Sequence, residues 1–220
     1  MQYKKRARSK AAKSERKDAI ITAAETLLRQ SGYDAMTMQA VAAEAGLGKG
    51  TLYLYFPSRE VLVFDVYGRL FDKWINQFAS HFYDVTEVEE FCRSFCYYYT
   101  ADPLFLKLTG FVISLMEPQL DRVSYIKGKR AMASRVKKLA GIACQRLGMT
   151  PVLAQKFVWG LLTVASGATQ MSIRQLHSSG DFPEDVKVFI GSTSFETVFI
   201  NAAVPLCSGI MQANPLIKCQ

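Results

Sequence analysis

The chain has 220 residues, 50% of them hydrophobic, and a net charge of +8. That length supports one good core, or a small domain beside a larger one. It holds no run of the ~18 apolar residues that a membrane-spanning helix needs, and its five cysteines, odd in number and irregularly spaced, exclude a disulfide framework. The most apolar stretches, 157–173 and 186–204, are interrupted by Gly160, Ser166, Gly167 and Gln170 and by Gly191, Ser192, Ser194 and Glu196. The expectation is a soluble, cytoplasmic protein.

Residues 1–17 carry Lys4, Lys5, Arg6, Arg8, Lys10, Lys13, Arg16 and Lys17 against Glu15 alone, and so hold nearly all the net charge. Residues 1–13 are expected to be a disordered basic arm, either a polyanion contact or a solvated terminus. No apolar stretch or small-residue cleavage site follows, so this is not a signal peptide. A first helix should begin near Ser14, with Ile20, Ala24, Leu27, Leu28 and Ser31 on one face, and end at Gly32 in a left-handed conformation.

Thr37 is a natural N-cap for a short second helix, "MQAVAAEA", with Val41 and Ala45 facing inward. Gly46 ends it and opens the turn "GLGK", with Leu47 plugging the core beneath. A third helix should run from Lys49 to Phe56, with Leu52 and Phe56 buried, until Pro57 breaks it. Ser58 then caps a fourth helix, with Glu60 placed favourably for the helix dipole. Two short helices joined by a glycine turn form the helix-turn-helix, whose second helix enters the major groove of DNA. Glycine is costly inside a helix, so Gly48 and Gly50 imply close approach to a phosphate backbone. Lys49 adds a cation, and Thr51, Tyr53 and Tyr55 offer hydroxyls to phosphates and apolar surface to thymine methyls. The alternative for "GKGT", a nucleotide phosphate loop, fails because Gly follows Lys and a helix, not a strand, precedes it.

The stretch "TMQAVAAEAGLGKGTLYLYFPSREVL", with "GYDAMT" before it, closely resembles the DNA-binding domain of TetR/AcrR-type transcriptional regulators. The resemblance covers about residues 14–65 and is specific as a composite motif. It implies that Thr37 caps the second helix and touches a phosphate, and that Gln39 reaches a base edge. It makes Lys49, Gly50, Thr51, Tyr53 and Tyr55 the recognition surface, and Arg59, where the family usually has Lys, a phosphate grip. Gly48 departs from the common Ser cap, and Leu54 stands where members often carry an aromatic or polar residue.

The expected fold class is all-α: a three-helix DNA-binding domain over 14–57, a larger helical regulatory domain over 58–210, and a tail over 211–220. Breaks at "YDVTE", Asp102-Pro103, Glu117-Pro118, "GMTP" and "HSSGDFPED" predict helices near 58–82, 87–101, 103–115, 118–148, 151–177 and 184–208. The last two carry small residues from Gly160 to Ala168 and an apolar stripe of Phe189, Phe195, Val198, Phe199 and Ala202. By the resemblance they imply a homodimer interface, with Leu161, Ala165, Ala168, Phe195, Phe199 and Ala202 at its centre. The middle helices are loaded with aromatics, among them Phe71, Phe82, Phe91, Phe95 and Tyr99. Trp74, Phe78, Tyr97, Tyr98, Phe105, Phe111 and Trp159 are the candidates for a small-molecule effector pocket. Tyr97, Tyr98 and Tyr99 cannot all face the core, since consecutive helical residues diverge.

Cys92 and Cys96, one helical turn apart, read as buried structural thiols, because His81 and His177 lie far off and no metal-ligand cluster is visible. No cofactor is expected. An enzyme is disfavoured, since no nucleophile elbow or histidine-containing triad is evident. The resulting expectation is a dimeric repressor that binds double-stranded DNA and is released by a small effector. A DNA-organising protein of the same fold without an inducer remains the alternative; a membrane-surface role for the arm would leave the helix-turn-helix unexplained.

Overall fold

The computed structural model describes residues 2–80, 86–112, 117–176 and 182–213, with the backbone alone at 2–10, 117, 173–176 and 190–192. Among the described residues the architecture is all-α, as expected. The helices are α1 (Gln2–Ala35), α2 (Met38–Glu44), α3 (Lys49–Tyr55), α4 (Arg59–Ser80), α5 (Val88–Thr100), α6 (Pro103–Phe111), α7 (Arg122–Leu147), α8 (Pro151–Leu176), α9 (Glu184–Ser192) and α10 (Phe195–Gln212). His81, Phe82, His177, Cys219, most of "YDVTE" and residues 214–220 of the expected tail lie outside the described residues.

Three expectations are corrected. The basic arm is helical from Gln2, continuous with α1, because Lys, Arg and Ala are good helix formers and no Gly or Pro occurs before Gly32. Gly32 does interrupt α1, with φ 76° and ψ −178°; this is an extended positive-φ conformation that only glycine adopts readily, not the left-handed helical one. The segment expected as one helix over 184–208 is two. Ser194 accepts a hydrogen bond from the Thr197 amide and so caps a new helix, α10. Among the other starts, Asp102 caps α6 through the Leu104 and Phe105 amides, and Asp121 caps α7 through those of Val123 and Ser124.

The core of the body is a continuous aromatic cluster. Trp74 of α4 meets Phe71 at 5.2 Å, Phe95 at 5.0 Å, Tyr99 at 5.6 Å and Phe105 at 5.8 Å between ring centroids. From α10, Phe199 stacks on Phe95 at 5.3 Å and Phe195 on Tyr99 at 5.3 Å. These contacts join α4, α5, α6 and α10 into one packed unit. Cys92, Cys96 and Cys207 are buried beside it, and burial pushes the Cys96 thiol up to about 12. The burial of Cys92 and Cys96 is as expected.

Around this core, ion pairs tie the elements together. Arg29 of α1 grips Asp102, the α6 cap, with two hydrogen bonds of 2.9 and 2.7 Å. Glu25 bridges Arg29 and Arg69, joining α1 to α4. Burial alone would raise the Glu25 and Asp102 carboxyls, but the guanidiniums outweigh it and hold both below the ordinary carboxylate range. Gly128 of α7 lets the Phe64 ring of α4 lie directly on its backbone, where a Cβ would stand 2.5 Å from ring carbon. No single helix among the described residues is long and apolar enough to cross a membrane.

Candidate nucleic-acid interface

The head is built from α1, α2 and α3. Thr37 caps α2, its hydroxyl accepting from the Ala40 amide at 3.1 Å. Val41 and Ala42 are buried, and Ala45 and Leu47 pack partly buried against the core. Gly46, at φ 65°, makes the turn that redirects the chain. Gly48 then precedes α3 in an extended conformation and gives no side-chain cap.

α3 divides sharply into two faces. Leu52 and Phe56, at 0% and 1% exposure, anchor it to the body. Lys49, Gly50, Tyr53 and Leu54 face outward with Gln39 of α2, and Thr51 is half-buried. A Cβ added at Gly50 would meet nothing within 4 Å, so no packing inside the protein demands glycine there.

Two expected contact residues are held differently. Tyr55 packs partly buried against the core, on the opposite side from Tyr53. Arg59 lies over the Tyr33 ring at 4.0 Å, 3.7 Å from the Glu60 carboxylate. Its guanidinium is occupied at the junction between α1 and α4. Sequence reasoning missed that Tyr33, expected only to begin a connection, organises this junction. Its hydroxyl donates to Glu60 at 3.2 Å and its ring contacts Phe111 of α6 at 4.4 Å.

The effector-pocket candidates mostly lie elsewhere. Trp74, Phe78 and Phe105 are filled core, their rings closed on one another. Tyr97 is 69% exposed, while Tyr98 packs partly buried against the core. A cavity of about 520 Å³ opens between α4, α5, α6, α7 and α8, and of the candidates only Trp159 lines it. Its walls are Tyr67, Phe71, Met132, Trp159 and Leu162; Tyr99, Thr109, Thr163 and Ser166 bring hydroxyls, and Lys129 is the only charged residue among the described lining. Sequence reading missed Tyr99 and Thr109, because only the packing of α5 on α6 turns both toward one space. Phe111 lines a second cavity, of about 720 Å³, between the end of α1 and α6. Within the described residues, no cluster of histidines, cysteines and carboxylates could hold a metal.

The expected dimer residues are also placed otherwise. Leu161, Ala165, Ala168, Phe195 and Phe199 are buried in the chain's own core; of the six, only Ala202 faces outward. The small residues of α8 serve packing within the chain: a Cβ at Gly160 would stand 3.2 Å from Leu206 of α10. The outward faces carry Val152 and Trp159 on α8, at 68% and 51% exposure, and Leu206 on α10, at 41%.

Comparison with known proteins agrees with this geometry. The family model for bacterial regulatory proteins of the tetR family matches residues 20–66, and that for the tetracyclin repressor-like C-terminal domain matches residues 68–214. The HTH-type transcriptional repressor KstR of Mycolicibacterium smegmatis is 40% identical over 62 residues, 28% of this chain and 30% of that protein. The HTH-type transcriptional regulator RutR of Escherichia coli K12 is 33% identical over 92 residues, 40% of this chain and 42% of that protein. The chain thus aligns with less than half the length of these curated relatives. The crystal structure of the multidrug binding protein EbrR complexed with imidazole has the same fold at a TM-score of 0.56 and 16% identity, covering 93% of this chain and 98% of that one. FadR of Bacillus halodurans, a fatty acid degradation regulator, shares the fold at 0.52 and 17% identity, covering 87% and 93%. With one family model spanning the helix-turn-helix and another the body, the chain belongs to the TetR family of regulatory proteins.

Proposed function

We propose that the chain is a ligand-responsive repressor that binds a near-palindromic operator as a homodimer and leaves it when a small apolar molecule occupies the body. The carrying observation is the divided α3, with Leu52 and Phe56 buried behind an outward surface whose glycine, Gly50, has no packing reason inside the protein. In this reading residues 14–57 form the reading head and 58–210 the regulatory body. Lys49, Gly50, Thr51 and Tyr53 of α3, with Thr37 and Gln39 of α2, meet DNA. Tyr55 and Arg59 support the head from behind. Lysine and arginine contacts to phosphate supply most of the affinity, so binding falls steeply with salt.

Two copies join through the outward faces of α8 and α10, around Trp159, Ala202 and Leu206, and their two-fold axis sets the half-site spacing. The effector occupies the cavity of about 520 Å³. Its lining residue Thr109 lies on α6, which Asp102 ties to Arg29 and Phe111 ties to Tyr33. Tyr33 in turn holds Arg59 and Glu60 just behind α3. A ligand that prefers the arrangement with misplaced heads shifts the population off DNA; equal affinity for both states shifts nothing.

In vitro selection from a random duplex pool, read by anisotropy at two salt concentrations with Tyr53→Ala as control, tests the reading. An enriched near-palindrome, lost in the variant, is expected. Salt-sensitive binding without an enriched sequence would replace it with the DNA-organising alternative.

A further inference from the structure

We infer that the effector of this chain is an uncharged apolar hydroxyl compound, an alcohol or a phenol, its hydroxyl donating inward to the oxygens of Tyr99 and Thr109 and its hydrocarbon body packed on Phe71 and Trp159. The inference rests on the proposed effector role of this cavity and adds the chemical class of its occupant.

Three observations carry it. First, the hydroxyl hydrogens at the inner end are already committed. Thr109 donates its hydrogen to the Phe105 carbonyl at 2.9 Å, and Thr169 donates to that of Ala165 at 2.7 Å. Both threonines also hydrogen-bond the Tyr99 phenol. A carbonyl only accepts, so Tyr99 must give its own hydrogen to one threonine and meet the other oxygen to oxygen. Three hydroxyl hydrogens thus serve four contacts. Tyr99 and Thr109 both line the cavity, and what they turn toward it is lone pair. Such a surface takes a hydrogen-bond donor and repels a carbonyl or a carboxylate.

Second, the triad suits a donor without charge. Tyr99 and Thr109 are 2% and 3% exposed and Thr169 is fully buried. An ammonium group would exchange its hydration there for neutral oxygens alone, at high cost. A hydroxyl loses far less and regains a hydrogen bond. Third, Phe71, Met132, Trp159 and Leu162 also wall the cavity, and their exposure rises from 2% at Phe71 to 51% at Trp159. Hydrocarbon and ring surface of this kind takes an apolar body. The orientation follows: hydroxyl inward at the triad, hydrocarbon running outward along the apolar walls.

The test uses the full chain and calorimetry with 4-phenylphenol and decan-1-ol, each against its methyl ether, which keeps the body and lacks the donor, and with decylammonium. Each hydroxyl compound is expected to bind about ten-fold tighter than its ether, and decylammonium more weakly than decan-1-ol. Tyr99→Phe combined with Thr109→Val removes both oxygens at nearly constant volume. It should erase the preference and leave ether binding intact, whereas Thr109→Ser and Ser166→Ala should retain it. Equal binding of hydroxyl compound and ether by the unaltered chain would overturn the assignment whatever the variants do. So would a preference that survives the double variant or is lost in Ser166→Ala, tighter binding of decylammonium, or binding by no probe. Operator binding, read on the same preparation, keeps the two readings apart. Selective binding of the hydroxyl compounds with the operator retained would sink the effector role and keep the ligand class, and operator release by hydroxyl compound and ether alike would do the reverse.

Discussion

The head and the body of this molecule store their function in opposite ways. In the head, the residues proposed to act are the ones packing does not use: Lys49, Gly50 and Tyr53 face outward, and Gly50 has open space where a Cβ would go. In the body, the most conspicuous residues are the ones packing consumes. Trp74, Phe78, Phe95, Phe105 and Phe199 close on one another at exposures of 3% or less, leaving the cavity to less obvious side chains. An unusual residue on a short exposed helix thus points to a partner, whereas an aromatic surplus in a helical body points first to its core.

The contrast can be broken most forcefully in the body. Phe199→Ala is expected to cost about 3–5 kcal/mol of stability by urea denaturation, since it opens a cavity in a stacked cluster. Tyr97→Ala, on the exposed side of α5, should stay within about 0.5 kcal/mol. If the two variants behave alike, the division between core and surface aromatics is wrong.

Next comes the outward face of α8 and α10. Leu206→Glu should shift sedimentation toward monomer and weaken operator binding by about 2 kcal/mol or more, with the fold retained, because a charge then sits in the centre of the proposed contact. An unchanged dimer would move the interface elsewhere.

The head supplies the sharpest separation of stability from function. Gly50→Ala should raise stability by about 0.5–1 kcal/mol, since alanine favours a helix and no neighbour is in the way. The same change should weaken DNA binding by about 1 kcal/mol or more if the backbone there approaches DNA. Better folding with unchanged binding would show that glycine has no role at that position.

An effect of similar size, confined to neutral pH, belongs to the link between the two regions. Asp102 is held below its ordinary pKa because Arg29 and the α6 amides outweigh burial. Stability from a depressed carboxylate is present above the unfolded pKa, near ~4, and disappears as pH falls through the folded value. Arg29→Ala should therefore cost about 1 kcal/mol at pH 6, discounted for the partial exposure of the pair, and the gap to the unaltered chain should narrow as pH falls below the unfolded value and through the lowered folded one. A gap that persists in acid would assign the loss to packing of the arginine stem rather than to charge.

Much of the head was legible in the sequence because its signals are local. Thr37 caps, Gly46 turns, and Leu52 and Phe56 anchor through contacts within a few residues, and a four-residue spacing settles which side of a short helix is buried. The break at Gly32 was legible for the same reason, and the split at Ser194 lay in plain view as a capping residue within "GSTS". The aromatic content of the body was equally visible. Its allocation was not, because whether Phe195 and Phe199 face a partner or their own core depends on the angle at which α10 crosses α5. Tyr99, Thr109 and Lys129 become neighbours of one cavity only when α5, α6 and α7 converge on α8. Nothing in their sequence spacing encodes that convergence. The chain by itself thus determined a helical protein with a DNA-reading head, since caps, glycines and apolar periodicity act over a single turn. The cavity of about 520 Å³, the outward faces of α8 and α10 and the Tyr33 junction between head and body were decided only by tertiary packing, which brings together residues that local forces leave independent.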